Sequence, residues 1–205
     1  MFYWEKLGRI YNPQDFKVRK DWMFEFAQAP WTLIFDDFVR VYFGSRPKRD
    51  ENGQYTTFSS YVDLNRNNLF KIEKFAEEPV IKLGNIGCFD EFGTYPLSVI
   101  RKDNEVWGYY AGWTRCESVP FNVGIGLVIS KDDGVTFEKA GEGPIIPYSL
   151  EEPFTLSGPK IKKFGDTYYL FYIAGKRWLI VNDRPEISHK IRMATSEDGL
   201  NWSKI

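Results

Sequence analysis

The sequence predicts an all-β fold made by repeating one four-stranded antiparallel unit, and three observations carry that prediction. Trp4, Phe70, Phe137 and Trp202 recur at spacings of 66, 67 and 65 residues, Pro13, Pro79 and Pro144 at 66 and 65, and Pro30, Pro96 and Pro159 at 66 and 63. Independent ladders of similar period mark an array of one supersecondary unit. The text after each proline of the third ladder is also the same: a strand-like run, a polar turn and a second run. It reads WTLIF-DD-FVRVYFGSR, LSVIR-KDN-EVWGYYAGW and KIKK-FGD-TYYLFYIAGK. β-Branched and aromatic residues fill the runs and Asp, Asn and Gly fill the turns, which is hairpin chemistry. Finally, helical periodicity is absent along the chain.

A third strand is predicted in each unit after a longer polar loop, at Thr56–Asp63, Asn122–Ser130 and His189–Ser196. In units two and three it ends in SKDDG and SEDG, turn chemistry that leads to the ladder aromatic and a fourth strand. Four antiparallel strands per period describe a β-propeller blade. The N-terminal text WEKLGRIYNP matches a fourth strand, and WSKI at the other end begins one. The expected organisation is a single repeat domain: a closing fourth strand over 1–13, blade one over 24–83, blade two over 90–147 and blade three over 153–205. Closed propellers have four to eight blades. Three blades therefore predict a shortened or partial member of a five-bladed architecture, with association between copies as the alternative.

The 205 residues suffice for a sizeable core. A net charge of −1 with mixed signs gives no nucleic-acid footprint. Charges inside the run MFYWEKLGRI argue against a signal peptide, and no segment reaches the length of a membrane span. Cys88 and Cys116 make neither a disulfide scaffold nor a metal spacing. The expected setting is cytoplasmic, with no membrane or nucleic-acid partner, no cofactor and no metal. Much of the 18% aromatic content must fill blade-to-blade packing, but carbohydrate clefts also use aromatic platforms, whose faces stack on sugar C–H surfaces.

If the first strand of each blade runs down from the top face, the turns at Asp36-Asp37, Asp103-Asn104 and Gly165-Asp166 lie at the bottom. The top face then receives the links 24–30, 84–96 and 148–159 and the loops 44–55, 112–122 and 175–189. Long loops over a rigid scaffold are where function concentrates. Carboxylates there include Asp90, Glu91 and Glu152, beside Gln28. The loops after strand two carry Arg46, then Trp113 and Arg115, then Arg177, Trp178 and His189. Asp36, Asp37, Asp103, Asp132, Asp133 and Asp198 recur at repeat positions and read as turn formers. Glycoside hydrolysis or phosphorolysis needs one protonated carboxyl to release the leaving oxygen and an ionised group to attack or to activate the nucleophile.

The repeated strand–turn–strand text, the SxDGxxW-type turn and the links FDEFGTYP and EEPFTLSGP resemble five-bladed glycosidase-like propellers. These include glycoside hydrolase families 43, 32, 68 and 130 (arabinanases, invertases, levansucrases and mannoside phosphorylases). Glycosidase-like proteins of bacterial surface-polysaccharide clusters are nearer still. The resemblance spans the whole chain, but fold alone does not carry function. The family 43 pattern implies an acid just before the proline of each blade, where this chain has Ala29-Pro30, Tyr95-Pro96 and Ser157-Gly158-Pro159. Gln28 stands where the polysaccharide-cluster proteins resemble HAQxP, with Phe26 in place of the histidine.

Two readings follow. One is an enzyme acting on a carbohydrate with Asp90 and Glu152 as the acid–base pair. Arg46, Arg115 and Arg177 would contact an anionic group or phosphate, and Trp113 or Trp178 would form a stacking wall. The other is a non-catalytic carbohydrate-binding or assembly module. A carboxyl separation of about 5–9.5 Å across a pocket would favour the first, and carboxylates locked in structural ion pairs the second.

Overall fold

The computed structural model describes residues 2–17 and 20–205. It contains three four-stranded antiparallel sheets, as the repeat predicts. The first orders β1 (Glu25–Ile34), β2 (Phe38–Arg46), β3 (Phe58–Asn65) and β4 (Asn68–Phe75). The second orders β5 (Gly93–Lys102), β6 (Glu105–Arg115), β7 (Phe121–Ser130) and β8 (Glu138–Lys139). The third orders β9 (Leu156–Phe164), β10 (Thr167–Val181), β11 (Arg184–Ser196) and β12 (Ser203–Lys204). Each is a meander in chain order, the arrangement of a propeller blade.

The blades pack face to face through alternating strand residues. Leu33, Tyr42 and Tyr61 of blade one meet Leu97, Val99 and Phe137 of blade two. Trp107, Tyr109 and Leu127 of blade two meet Ile161, Leu170 and Ala194 of blade three. Polar ties cross the same seams: Trp31 Nε1 donates to the Val99 carbonyl at 2.8 Å, and the Ile161 amide donates to Ser98 Oγ at 3.0 Å. On blade one, the buried Arg40 guanidinium forks onto both Asp63 carboxylate oxygens at 2.7 Å and donates to the Asp133 carbonyl of blade two at 3.0 Å. The SxDG turns are built as read. Asp132 Oδ1 accepts the amides of Val135 and Thr136, and Asp198 Oδ1 accepts those of Leu200 and Asn201.

Two expectations are corrected. The closing strand expected over 1–13 does not form: residues 2–12 belong to no strand, and Phe2, Tyr3 and Trp4 are almost fully exposed. The segment turns onto blade one instead. Gly8 lies against Phe70, and Tyr11 packs on Phe43, Phe16 and Phe75 with ring centroids 5.1 to 5.9 Å apart. The span 175–189 is not a loop. β10 and β11 run on as a hairpin arm to a two-residue turn at Asn182 and Asp183, both with positive φ (49° and 59°). Left-handed residues at both turn positions match the twist of the flanking strands, so the arm continues the sheet.

Candidate functional site

Asp90 and Glu152 are held in separate ion-pair clusters, Asp90 at the edge of a cavity of about 580 Å³ that Glu152 does not line. Each is fully buried at the same place in its own blade. Asp90 Oδ2 accepts the Tyr110 hydroxyl at 2.7 Å and pairs with Lys139 Nζ at 2.5 Å. Glu152 pairs with Arg192 Nε at 2.7 Å and Lys204 Nζ at 2.8 Å, and accepts the Tyr172 hydroxyl at 3.0 Å. The matching partners come from strands two and four of each blade. Burial by itself would raise the Glu152 pKa, but Lys204, Arg192 and Tyr172 outweigh it and hold the carboxyl below its usual range. A carboxylate stabilised in this way is a poor proton donor near neutral pH. Both acids are bound by ion pairs and hydrogen bonds to strands of their own blade, an arrangement that favours a structural role over the expected acid–base pairing.

Another cleft, of about 380 Å³, opens between the top ends of blades one and two. Arg46 closes β2, Trp113 and Arg115 close β6, Phe121 opens β7, and the loop between β2 and β3 supplies Arg49 and Tyr55. That loop is organised by Asp50, whose Oδ1 accepts the amides of Asn52 and Gln54 at 3.0 and 2.8 Å and whose Oδ2 accepts from Arg115 at 2.8 Å. These bonds, led by the Gln54 amide, hold the Asp50 pKa below the ordinary value.

The wall of the cleft is aromatic. Trp113 stacks parallel to Tyr95 at 6.2 Å and meets Phe121 edge-on at 4.8 Å, and Phe121 meets Trp178 at 5.5 Å. Trp113 Nε1 donates to the Tyr95 carbonyl, which fixes the indole. Tyr95 in turn donates its hydroxyl to Gln28 Oε1 at 3.1 Å. Gln28 lies on a stretch of β1 where the register with β2 slips twice, and Phe26 and Ala29 carry positive φ (67° and 50°). Bulges and left-handed non-glycine residues of this kind gather beside functional sites.

The cleft thus gathers Arg46, Trp113 and Arg115 from the residues expected from sequence, while Gln28 is linked to it through Tyr95 and Trp178 through Phe121. Three others lie apart. Glu91 accepts the Gly87 amide at 3.0 Å within its own link. Arg177 and His189 are exposed on the β10–β11 arm, His189 opposite Gly175. Arg49, Tyr55, Phe92 and Phe121 line the cleft without having been singled out from sequence. The alternation RPKRDENGQY, basic and aromatic residues around a turn, was the available signal for the first two. Among the described residues no cluster of three or more His, Cys, Asp or Glu side chains is placed to hold a metal, and no helix is long and apolar enough to cross a membrane.

No protein-family model matches the chain. It is 34% identical over 204 residues to the uncharacterized protein Rv1502 of Mycobacterium tuberculosis strain H37Rv, and equally to its counterpart in strain CDC 1551. The alignment covers 98% of this chain, which spans 64% of those relatives' length. Among solved structures, a family 117 glycoside hydrolase of Zobellia galactanivorans superposes with a TM-score of 0.64 at 17% identity, over 89% of this chain and 46% of that one. A glycosyl hydrolase of Bacteroides ovatus gives 0.60 at 16% identity, over 90% and 50%. The family 32 β-fructofuranosidase of Bombyx mori gives 0.57 at 16%, over 87% and 35%. With its three meander blades, the chain shares the β-propeller fold of these solved structures.

Proposed function

We propose that this protein binds a carbohydrate in the cleft between blades one and two, with Trp113 and Phe121 as the stacking wall. The observation that carries the reading is the aromatic pair Trp113 and Phe121 lining an open cleft, backed by ring contacts to Tyr95 and Trp178. Ring faces of this kind suit the C–H faces of a sugar, and the glycosidase-like fold supports a carbohydrate-related role. The burial of Asp90 and Glu152 in ion pairs, and the absence of acids before Pro30, Pro96 and Pro159, favour binding over hydrolysis. The test is a glycan array followed by calorimetry on the hits. Trp113→Ala and Phe121→Ala, each checked for folding by circular dichroism, should weaken binding by about tenfold or more, or roughly 1.4 kcal/mol. If no glycan binds, or if both variants bind as well as the parent, the cleft is not a sugar site.

One observation favours a catalytic reading. Glu25, at the start of β1, accepts the Tyr55 hydroxyl at 2.8 Å, next to the strained Phe26. A single carboxyl acid is enough for phosphorolysis, in which phosphate itself is the nucleophile. Release of a chromogenic aglycone by the parent, with and without phosphate, and its loss in Glu25→Gln would carry this alternative. An inert parent leaves the binding reading.

A further inference from the structure

The cleft holds more positive charge than the fold uses, and we propose that it recognises an oxyanion together with the sugar through Arg46 and Arg115. The oxyanion is a carboxylate or phosphate, either carried by the sugar or, for phosphate, free beside it. This deepens the carbohydrate reading given above and rests on it.

Arg46 carries the argument. Its guanidinium lies 4.9 Å from the ring centroids of both Phe26 and Tyr55 and 5.9 Å from that of Tyr95. Among the described residues it makes no ion pair and no side-chain hydrogen bond, and its Nε is buried without a partner. Buried donors are almost always satisfied, and an arginine cannot shed its proton to escape.

Arg115 repeats the pattern in part. It gives one amino group to Asp50 and, at 3.4 Å, to the Tyr55 carbonyl, yet its Nε is also buried and unpartnered. Arg49 adds a third guanidinium, 4.3 Å from the Tyr55 ring, and donates to the Gly53 carbonyl at 2.7 Å. No Asp or Glu lines the cleft. The nearby acids are already engaged, Asp50 with Arg115 and Glu25 with Tyr55.

The same chain shows how it treats arginines that serve only the fold. Arg40, on the same strand as Arg46, is forked onto Asp63, and Arg192 is paired with Glu152. Against those two, the unpaired Arg46 and half-paired Arg115 are poised for an acceptor from outside. A carboxylate or phosphate matches the planar fork that a guanidinium offers. Aromatic rings packed on the guanidinium keep water away and strengthen that attraction.

The test is calorimetry on the intact chain with matched probes. These are oligogalacturonides and their neutral galactan counterparts, glucose 1-phosphate and mannose 1-phosphate with glucose and mannose, and inorganic phosphate alone. At low salt the acidic member of a pair should bind about tenfold tighter than the neutral one, and the gap should shrink at high salt. Arg46→Gln and Arg115→Gln should each pull that ratio toward one, and Arg46→Lys should fall between them and the parent. Tighter binding of the acidic sugars assigns the oxyanion to the sugar. Binding of inorganic phosphate that is lost in Arg46→Gln, with no preference among sugars, assigns it to free phosphate.

Neutral and acidic glycans that bind alike, with no phosphate binding, would overturn this inference while leaving the carbohydrate reading intact. So would an unchanged ratio in both folded glutamine variants. Arginine-dependent phosphate binding with no glycan binding would do the reverse, removing the carbohydrate reading and keeping the oxyanion site.

Discussion

Tyr42 and Tyr109 hold the same position in successive blades, and each donates its hydroxyl across the seam to a glycine carbonyl in the next blade's SxDG turn. Tyr42 reaches Gly134 and Tyr109 reaches Gly199, both at 2.8 Å, and both rings are fully buried. Their counterpart in blade three is Phe171, which has no hydroxyl and is 37% exposed. The hydroxyl bridges both seams between the three blades. A small repeated device therefore sets the spacing of blades, and with it the width of the cleft between blades one and two.

Removing that device should weaken the seam. Tyr109→Phe removes one of two donors to the buried Gly199 carbonyl, the Trp202 indole remaining at 3.2 Å, a loss of about 0.5–1.5 kcal/mol. Tyr42→Phe should cost more, about 1–2 kcal/mol, because among the described residues Tyr42 is the one side chain that donates to the Gly134 carbonyl. Phe171→Tyr, at the exposed position, should stay within about 0.5 kcal/mol of the parent. Urea denaturation of the three variants checks the set. Equal stability of Tyr109→Phe and the parent would show that packing alone holds the blades.

Acid should unfold the protein partly through Glu152. Its folded pKa lies below that of an exposed glutamate, since Lys204, Arg192 and Tyr172 outweigh the opposing effect of burial. Asp198 is lowered too, first by the Asn201 amide, then by the Asn201 side chain and the Leu200 amide. For a depressed carboxyl the unfolded chain binds the proton more readily. The stabilisation is therefore complete above the unfolded value and is lost as pH falls through the folded one. Stability should decline from about pH 5 downward. Glu152→Gln should be less stable than the parent at neutral pH, with a difference that narrows in acid. Parallel stability curves for the two proteins would show that Glu152 does not contribute to acid sensitivity.

The repeat made the blades readable because its markers obey local rules. Hairpin turns, SxDG turns and the prolines before each first strand all act through neighbouring residues. The site was readable only where it followed the repeat, as Arg46, Trp113 and Arg115 do at the end of strand two. Asp90 and Glu152 follow it as well, and so do their partners Tyr110 with Tyr172 and Lys139 with Lys204. That shared recurrence marks them as structural, by the same logic that assigned Asp132 and Asp198 to turns. Arg177 and His189 were misplaced because the Asn182-Asp183 turn converts the expected loop into paired strands. Arg49 and Tyr55 sit on the connection between strands two and three, whose length and sequence differ from blade to blade, so periodicity could not point to them.

The aromatic wall depends on a glycine opposite it. A methyl group at Gly44 would fall inside the Tyr95 ring, which packs directly on that backbone. Gly44→Ala should therefore push Tyr95 out, break its bond to Gln28 and loosen the Trp113 indole that Tyr95 supports. The expected outcome is a folded protein about 1–3 kcal/mol less stable, with altered near-ultraviolet circular dichroism. On a glycan that the parent binds, affinity should drop about tenfold or more. Full affinity in Gly44→Ala would remove Tyr95 and its stacking from the account of the site.

Blade one carries an apolar version of the buried ion pairs, and this allows a direct exchange. By strand register, Phe43 stands where blade two has Tyr110 and blade three has Tyr172, and Phe75 stands where they have Lys139 and Lys204. Met23 fills the acid's place: it is buried with Phe43, has Phe75 packed against it, and meets Ser60, which occupies the register position of Arg192. Breaking a buried pair by removing one partner usually costs about 3–5 kcal/mol, whereas replacing the whole group with well-packed apolar residues is often neutral. Asp90→Met alone should thus be destabilising, toward the lower end of that range because the Lys139 side chain is 21% exposed and can reach water. Adding Tyr110→Phe and Lys139→Phe should bring stability back to within about 1 kcal/mol of the parent, since no polar group is then left unpaired. Denaturant midpoints of the single and triple variants decide the matter. A triple variant no more stable than Asp90→Met would mean that the polar cluster holds the link in a way that blade one's packing cannot reproduce.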